Sequence, residues 1–253
     1  MNIVIITGAS SGIGREFARR MDLAFDSIDE FWLVARSKDK LELLANTMRH
    51  ETKLFDIDVT DDCGLDILER AVNQQNAKVC MLINCAGYGV MGNFAQIDRS
   101  EETGMIRLNC EALTNITHRM IPYMDRGSRI IQLASSAAFT PQANFAVYAA
   151  TKSYVLSFSR ALGEELRSKG IYVTSVCPGP VDTPFFDTAE RHGKTMAIKK
   201  FTMVQTDKVV KQALRDSLHK KSKSVCSMPI KAFDLLAKVV PHELILLVMR
   251  RMR

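Results

Sequence analysis

The chain has 253 residues, of which 47% are hydrophobic and 25% are charged, a balance typical of an ordinary globular protein. This length fits a single α/β domain that buries about 70–75% of its unfolded surface. The first apolar run is short and has no basic leader, and no run approaches the length of a membrane span, so we expect neither a signal peptide nor a transmembrane helix.

The net charge of +6 is unevenly distributed. Residues 1–198 hold 21 Lys and Arg against 24 Asp and Glu, whereas residues 199–253 hold 13 against 4. The basic tail lacks the interleaved aromatic residues of a nucleic-acid-binding segment, so no nucleic-acid partner is expected.

The cysteines show no CxxC pair and no zinc spacing, so we expect no metal, a reducing compartment and a cytoplasmic location. They are Cys63, Cys80, Cys85, Cys110, Cys177 and Cys226.

A glycine-rich turn follows the first predicted strand, Ile3–Ile6, which is short, β-branched and uncharged. Residues 7–14 read TGASSGIG, and apolar residues recur at helical spacing from Phe17 onward. Glycines permit a tight turn and a close backbone approach, so amides at the helix N-terminus can face a pyrophosphate. A plain strand-to-helix turn without a ligand is the alternative. The dinucleotide-binding interpretation assigns cofactor contacts to Gly8, Ser10, Ser11, Gly12, Ile13 and Gly14.

The end of the second predicted strand, residues 31–34, favours NADP(H) over NAD(H). About twenty residues past such a glycine loop, an acidic side chain usually binds the ribose 2′-hydroxyl of NAD. Here this position lacks a carboxylate but carries Arg36, whose guanidinium attracts a 2′-phosphate, and Ser37 adds a hydrogen bond. Arg15 is a further candidate for this contact. A solvated arginine at a strand end is the alternative.

Predicted strands and helices continue to alternate along the chain. They are a helix over 38–49, a strand over 53–59, a helix over 61–75, a strand over 79–83, a long helix over 99–124 and a strand over 129–134. This alternation predicts a parallel sheet with helices on both faces. Ligands of such sheets bind outside the carboxyl ends of the strands.

A tyrosine and a lysine open the helix that follows the strand over 129–134. That strand ends at Ser135 and Ser136, and Tyr148 comes thirteen residues after Ser135. Tyr148 and Lys152 are at positions i and i+4, so they share one helix face about one turn apart. Alone, this pair is typical of an amphipathic helix surface. Together with the glycine loop and the strand-end serine, it favours a catalytic site.

These motifs together resemble the short-chain dehydrogenase/reductase family, over about residues 1–185. The resemblance implies a Rossmann-like, doubly wound parallel sheet in three αβα layers, forming a single domain with a C-terminal helical extension. It also implies an NADP(H)-dependent oxidoreductase that acts on carbonyl or secondary alcohol groups, and a homo-oligomer formed through the helices over 99–124 and 148–169. Carried over, the catalytic tetrad is Asn109, Ser135, Tyr148 and Lys152, with Ser136 as the rival for the serine.

The resemblance also assigns cofactor contacts beyond the glycine loop. Cys85 stands where the family has the second asparagine of Asn-Asn-Ala-Gly, which weakens any role for that side chain. The implied contacts are Asp58 and Val59 at the adenine, Asn84, Ala86 and Gly87 beneath the cofactor, Tyr148 and Lys152, and Pro178, Gly179, Val181 and Thr183 at the nicotinamide.

In this family-based mechanism, hydride transfer is accompanied by proton transfer through Tyr148. A free tyrosine has a pKa of about 10, and we expect the Lys152 ammonium and the oxidised nicotinamide to lower it by roughly two or three units. Ser135 is expected to hold the substrate oxygen and Asn109 a water. A dinucleotide-binding regulatory or scaffold protein without catalysis is the alternative. A sugar-nucleotide epimerase is disfavoured by the glycine spacing and the length.

The last quarter of the chain carries fewer signals. Residues 185–203 are interpreted as a substrate-covering region, and their apolar character favours a hydrophobic substrate such as a ketosteroid, hydroxysteroid or oxoacyl compound. A helix over 206–218 and a strand over 224–228 follow. Residues 229–253 alternate apolar and basic residues, which predicts either a helical pair packed on the domain or a sister subunit, or contact with an anionic membrane surface.

Overall fold

Short apolar segments rich in Val and Ile form the centre of the molecule, because such segments suit a sheet that is buried on both faces. The computed structural model describes residues 1–193 and 203–251. In these residues one seven-stranded parallel sheet has the order β3-β2-β1-β4-β5-β6-β7. The strands are β1 (Asn2–Thr7), β2 (Glu30–Val34), β3 (Glu51–Phe55), β4 (Lys78–Asn84), β5 (Arg129–Leu133), β6 (Tyr172–Val176) and β7 (Lys223–Ser224).

Helices cover both faces of this sheet. They are α1 (Gly12–Ala24), α2 (Lys38–Ala45), α3 (Asp62–Gln74), α4 (Arg99–Ile106), α5 (Leu113–Met120), α6 (Ala146–Glu165), α7 (Phe185–Ala189), α8 (Thr206–Leu218), α9 (Met228–Val239) and α10 (His242–Arg251). Two apolar layers result, because side chains alternate along each strand: Ile3 and Ile5 pack in one layer, and Val4 and Ile6 pack in the other. The predicted fold class, a doubly wound α/β sheet, is confirmed.

Register within the sheet places the ends of its strands side by side. Ile5 of β1 pairs with Trp32 of β2 on one side and with Leu82 of β4 on the other. The strand order extends outward in both directions from β1 and β4, so the crossover direction reverses there. An open sheet binds its ligand at such a reversal, beyond the carboxyl ends of the strands.

Several predicted boundaries are corrected by the structure. The strand predicted over 53–59 is β3, Glu51–Phe55, because Asp58 accepts hydrogen bonds from the backbone N–H and hydroxyl of Thr60 and forms a turn. The helix predicted over 38–49 ends at Ala45. The strand predicted over 224–228 is Lys223–Ser224, since Met228 already begins a helix with a proline in its first turn.

The long helix predicted over 99–124 is helical but not uniform. It comprises α4, a π-helical turn at Arg107–Ala112, α5, and a 3₁₀ turn at Ile121–Tyr123. Residues 194–202 of the predicted substrate-covering region, and residues 252–253 of the basic segment, lie outside the described residues. No helix in the described part of the chain is long and apolar enough to cross a bilayer.

Candidate active site

A cleft of about 2140 Å³ runs along the carboxyl ends of the strands. Most residues predicted for the site line it, and Ser136 and Cys85 do so as well. The lining predicted residues are Gly8, Ser10, Ser11, Gly12, Ile13, Gly14, Arg36, Ser37, Asp58, Val59, Ala86, Gly87, Ser135, Tyr148, Lys152, Pro178, Gly179, Val181 and Thr183. Asn84 and Asn109 do not line the cleft.

The glycine loop forms a cradle that side chains would fill. Gly8 has φ of +67°, and a Cβ there would lie 2.8 Å from the Ala86 backbone nitrogen. A Cβ on Gly14 would collide with the carbonyl oxygen of Gly8. The N-cap Ser11 of α1 makes no side-chain capping hydrogen bond, and the first turn of α1 contains no acidic residue. These features fit a pyrophosphate at the N-terminus of α1.

A hydroxyl ties this loop to the end of the neighbouring strand. Thr7 Oγ1 accepts hydrogen bonds from the backbone N–H groups of Cys85, at 3.1 Å, and Ala86, at 3.2 Å. The contact holds the ends of β1 and β4 together beneath the cleft. Thr7 was not among the predicted site residues, although it begins the TGxxxGxG motif that pointed to them.

Arg36 lies two residues after the end of β2, the strand next to β1. Its side chain is 77% exposed, and its Nη1 is 3.9 Å from Oδ2 of Asp58. Burial alone would raise the pKa of Asp58, but hydrogen bonds from Thr60 and the nearby Arg36 charge leave that pKa below its usual value. Asp58 is therefore ionised at neutral pH, and Arg36 keeps donors free for a second anion.

Helix α6 buries both members of the tyrosine–lysine pair. Tyr148 is 7% exposed and Lys152 is 4% exposed. Lys152 Nζ donates a hydrogen bond of 2.8 Å to the carbonyl oxygen of Leu133 and lies 5.6 Å from the centroid of the Tyr148 ring. Ser135 follows β5, and its hydroxyl interacts with the Tyr148 phenol, which places Ser135 beside the phenol. Its Oγ also accepts a hydrogen bond of 3.1 Å from the backbone N–H of Ala137.

The expected lowering of the tyrosine pKa is not found for the chain's own groups. Burial raises the pKa of Tyr148 to about 12, against the opposing effect of its hydrogen bond with Ser135. Burial also lowers the pKa of Lys152 to about 8. The expectation concerned the complex with oxidised cofactor and counted the attraction of the ammonium and of the nicotinamide. It left out desolvation, which disfavours the charged form of both groups. The site therefore holds a protonated phenol beside an amine that titrates near neutrality.

Asn109 lies behind the lysine, within the π-helical turn. Its Oδ1 accepts from the backbone N–H of Tyr88 at 3.1 Å, and its Nδ2 donates to the Tyr88 carbonyl at 2.9 Å and to Thr151 Oγ1 at 3.0 Å. A Cβ on Gly87 would lie 2.9 Å from Asn109 Oδ1 and 3.4 Å from Lys152 Nζ. Asn109 thus fixes the loop after β4 against α6. π-Helical turns are frequent at functional sites.

Asn84 takes part in a buried polar cluster instead of lining the cleft. Its Nδ2 donates to Thr117 Oγ1 and to Gln132 Oε1, both at 3.0 Å, and Asn84 is 2% exposed. The side chain thereby cross-links β4, β5 and α5. Its effect on the site is to hold the end of β4 in place.

Two aromatic residues outside the predicted tetrad surround the tyrosine. The Phe145 ring stacks on Tyr148 with centroids 4.2 Å apart, and the Phe185 centroid lies 5.4 Å from Tyr148. Phe145 precedes Tyr148 by three residues, a helical spacing that could have revealed it. Phe185 reaches the site from α7 and belongs to residues 185–203, the region interpreted as substrate-covering. Apolar residues of the C-terminal helices also line this end of the cleft, namely Ile230, Phe233, Leu236, Val240, Leu244 and Ile245.

A polar contact closes the rim beside α7. His192 Nε2 lies 2.7 Å from Glu101 Oε2, and Arg191 Nη1 lies 4.0 Å from Glu101 Oε1. All three residues line the cleft. In residues 1–193 and 203–251, no group of three or more His, Cys, Asp or Glu side chains is arranged to hold a metal ion.

Known proteins resemble this chain in sequence or in structure. A sulfoacetaldehyde reductase of Chromohalobacter salexigens is 34% identical over 188 residues, covering 72% of this chain and 73% of the relative. A short-chain dehydrogenase from Sphingobium yanoikuyae, solved with NADPH, is 26% identical with a TM-score of 0.78, covering 95% of this chain and 97% of that one. A short chain dehydrogenase/reductase from Burkholderia phymatum, solved with NAD, shares the fold with a TM-score of 0.81 at 20% identity, over 93% and 92% of the two chains.

The family described as short chain dehydrogenase matches residues 2–194, which include the glycine loop, the buried tyrosine–lysine pair and the strand ends between them. The match and the geometry of the cleft lead to the same assignment. The chain belongs to the short-chain dehydrogenase family of oxidoreductases, which act on alcohol and carbonyl groups with a nicotinamide nucleotide.

Proposed function

We propose that this chain is an NADP(H)-dependent oxidoreductase that interconverts a hydrophobic carbonyl compound and its secondary alcohol. The observation that carries the proposal is the burial of Tyr148 and Lys152 in one wall of a cleft that begins at the glycine loop. A buried lysine has an energetic cost, so its presence beside a phenol favours a catalytic role. A binding protein without catalysis has no need of this pair.

The residues of the cleft fit a dinucleotide. The glycine loop and the N-terminus of α1 would hold the pyrophosphate, and Asp58 and Val59 would flank the adenine. Lys152 would hold ribose hydroxyls, and the Val181 backbone with Thr183 would hold the carboxamide. When bound, the nicotinamide supplies or accepts the hydride.

NADP(H) is proposed as the preferred cofactor because of Arg36. Its guanidinium is mostly exposed, lines the cleft, and suits a phosphate dianion through paired donors. Asp58 is near enough to orient Arg36 without neutralising it through a short ion pair, since their closest charged atoms are 3.9 Å apart.

Tyr148 is the proposed proton donor in the reduction direction. With a pKa of about 12 it stays protonated across neutral pH and can give its proton to a carbonyl oxygen as negative charge develops there. Ser135, whose hydroxyl is beside the Tyr148 phenol, would donate to the same oxygen. The protonated form of Lys152 stabilises the phenolate that results, and Asn109 would position a water that returns the proton through Lys152.

A hydrophobic substrate is proposed from the walls of the cleft. Phe145 and Phe185 contact Tyr148, and the C-terminal helices add aliphatic side chains beyond them. A ketosteroid, hydroxysteroid or oxoacyl compound fits this lining. A small sulfonated aldehyde, as named for the C. salexigens relative, fits less well, because Arg191 and His192 both contact the Glu101 carboxylate.

The test is NADPH oxidation by wild type and Tyr148→Phe with ketosteroids, oxoacyl thioesters, sulfoacetaldehyde and simple aldehydes. We expect Tyr148→Phe to lower kcat by about 10²–10⁴-fold, the usual contribution of general acid catalysis, with little change in NADPH affinity by calorimetry. Phe145→Leu is the matched control, since it changes a neighbouring ring without removing a proton. Retained turnover in Tyr148→Phe would remove this residue from the mechanism.

We further propose a homo-oligomer in a reducing, cytoplasmic compartment. Ile106 of α4 and Tyr154 of α6 are 51% and 41% exposed, and these helices are the expected contact surface. All six cysteines are free, which supports a reducing environment. Light scattering of the purified protein tests the first part, because a monomeric mass rejects it.

A further inference from the structure

Helices α9 and α10 carry an unusual amount of exposed apolar surface. Among the side chains of α9 and α10 that the structure describes, only Ile230 and Ile245 are buried in the core. The exposed large residues, which we call the C-terminal apolar face, are Met228, Leu235, Leu236, Val239, Leu244 and Leu247. Elsewhere in the described residues, exposed large apolar side chains are spread over separate elements, which is ordinary for a protein surface.

Helical geometry makes this face continuous on α9. Met228, Leu235 and Val239 are seven and four residues apart, so they share one side of the helix. Their exposed fractions are 75%, 65% and 75%. An apolar stripe that points outward on a helix without a covering element is typical of a helix that lies on another surface.

Positive charge borders the stripe. Lys231 and Lys238 lie four residues before and three residues after Leu235, and both are exposed. The acidic residue between them, Asp234, forms ion pairs with both Lys223 and Lys238, so two lysines compensate its single negative charge. Residues 228–253 contain five Lys and Arg against two Asp and Glu, and Arg250 is exposed one turn after Leu247.

We propose that the C-terminal apolar face docks this protein on an anionic lipid surface. Apolar side chains on one face with flanking lysines match an interfacial helix, whose apolar side enters the headgroup boundary while its cations contact lipid phosphates. A two-fold contact between copies of this face would bring the lysines of both copies, Lys231 and Lys238, to one interface, where like charges oppose association. Anionic lipid neutralises these same charges.

The docking surface is connected to the cleft. Leu236 and Leu244 belong to the C-terminal apolar face and also line the cleft beside Ile230 and Phe233. A lipophilic compound dissolved in the bilayer would therefore meet an apolar path into the site. This consequence rests on the proposed function, whereas docking itself does not.

Flotation of the full-length protein with vesicles tests docking directly. We expect wild type to float with phosphatidylcholine vesicles that contain phosphatidylserine at low salt, and to bind pure phosphatidylcholine far less. High salt should weaken binding, because ions screen the lysine contribution. Wild type that stays at the bottom with anionic vesicles at low salt overturns the proposal.

Matched variants distinguish binding through this face from nonspecific adsorption to vesicles. Leu235→Gln with Val239→Gln should lower vesicle affinity by about tenfold or more, since two apolar side chains lose their contact with lipid. Leu23→Gln with Leu43→Gln, at residues 68% and 69% exposed on α1 and α2, should leave affinity unchanged. Lys231→Glu should lower it by about tenfold, whereas Lys169→Glu, at an exposed position before the amino end of β6, should not.

Two further measurements complete the test. In one outcome, wild type does not bind vesicles, and Leu235→Gln with Val239→Gln converts an oligomer to a monomer in light scattering. A second copy then covers the face, and the lipid proposal is wrong. NADPH turnover with a water-soluble carbonyl compound, assayed without vesicles, reports on the proposed function separately. Neither Leu235 nor Val239 lines the cleft, so that turnover should be unchanged in the double variant.

Discussion

Helices α6 and α9 both border the cleft, but they depart from ordinary protein packing in opposite ways. Helix α6 buries an amine, Lys152, at 4% exposure, whereas α9 exposes the aliphatic side chains of Leu235 and Val239 at 65% and 75%. Buried charges and exposed apolar clusters both cost the isolated chain free energy. Each is therefore informative about function in a way that an ordinary core leucine or surface lysine is not.

The difference between the two helices also separates chemistry from recognition. Proton transfer needs fixed groups in a low-dielectric environment, which α6 provides through burial and through the hydrogen bond from Lys152 to Leu133. Contact with a large apolar partner needs accessible surface, which α9 provides. The first arrangement limits stability and the second limits solubility of the free chain.

Substituting Lys152 with Met should give the largest effects. We expect kcat/KM for NADPH-dependent reduction to fall by about 10²–10⁴-fold, since the phenolate loses its cation. We also expect the free energy of unfolding at neutral pH to rise by about 1–3 kcal/mol, because burial penalises the charged amine. Steady-state kinetics and urea denaturation measure the two effects.

The pH dependence of stability gives an independent check of the same variant. Burial lowers the folded-state pKa of Lys152 from 10.5 to about 8, so the unfolded chain binds more protons between these values. Wild type should gain stability as pH rises from about 8 to 10.5, and Lys152→Met should lack this gain. Lys169→Met, at an exposed site after α6, serves as the control. Loss of stability in Lys152→Met would instead assign the amine a structural role.

Arg36 is intermediate between the buried amine and the exposed apolar face. An exposed arginine changes the free energy of folding little, and it contributes mainly when a ligand is bound. Arg36→Ala should lower kcat/KM for NADPH by about 10–100-fold and change that for NADH much less, as expected for a charge-assisted phosphate contact. Kinetics with both nucleotides measure this ratio. Lys38→Ala removes an exposed cation two residues away that does not line the cleft, and equal losses in both variants would contradict a specific 2′-phosphate contact.

The sequence predicted the sheet and the cofactor side of the cleft because their signals are local. Glycine is needed at positions 8 and 14 because other backbone atoms lie too close for a Cβ. The spacing of Tyr148 and Lys152 follows from the periodicity of a helix. Phe185 and Leu236 carry no local motif, and only tertiary packing brings them to the cleft. The raised pKa of Tyr148 in the free chain also has no local signal in the sequence, since burial is a property of the whole fold.

The smallest expected effect concerns the stability of α9 itself. If Leu235 and Val239 face solvent, Leu235→Gln with Val239→Gln should change the free energy of unfolding by no more than about 0.5 kcal/mol, as for other exposed sites. Ile230→Ala on the same helix should cost about 2–4 kcal/mol, because this buried side chain packs against the Gly179 loop and the core near β7.

Urea denaturation of the two α9 variants without lipid decides the comparison. A large loss in the double glutamine variant would mean that the free protein already covers this face, so α9 would follow the same packing rule as the rest of the core. If the double glutamine variant leaves the free energy of unfolding almost unchanged and Ile230→Ala lowers it strongly, the helix is anchored through one side only. The opposite side is then a surface that the fold keeps apolar at no benefit to its own stability, and its apolar character must be explained by what the protein contacts.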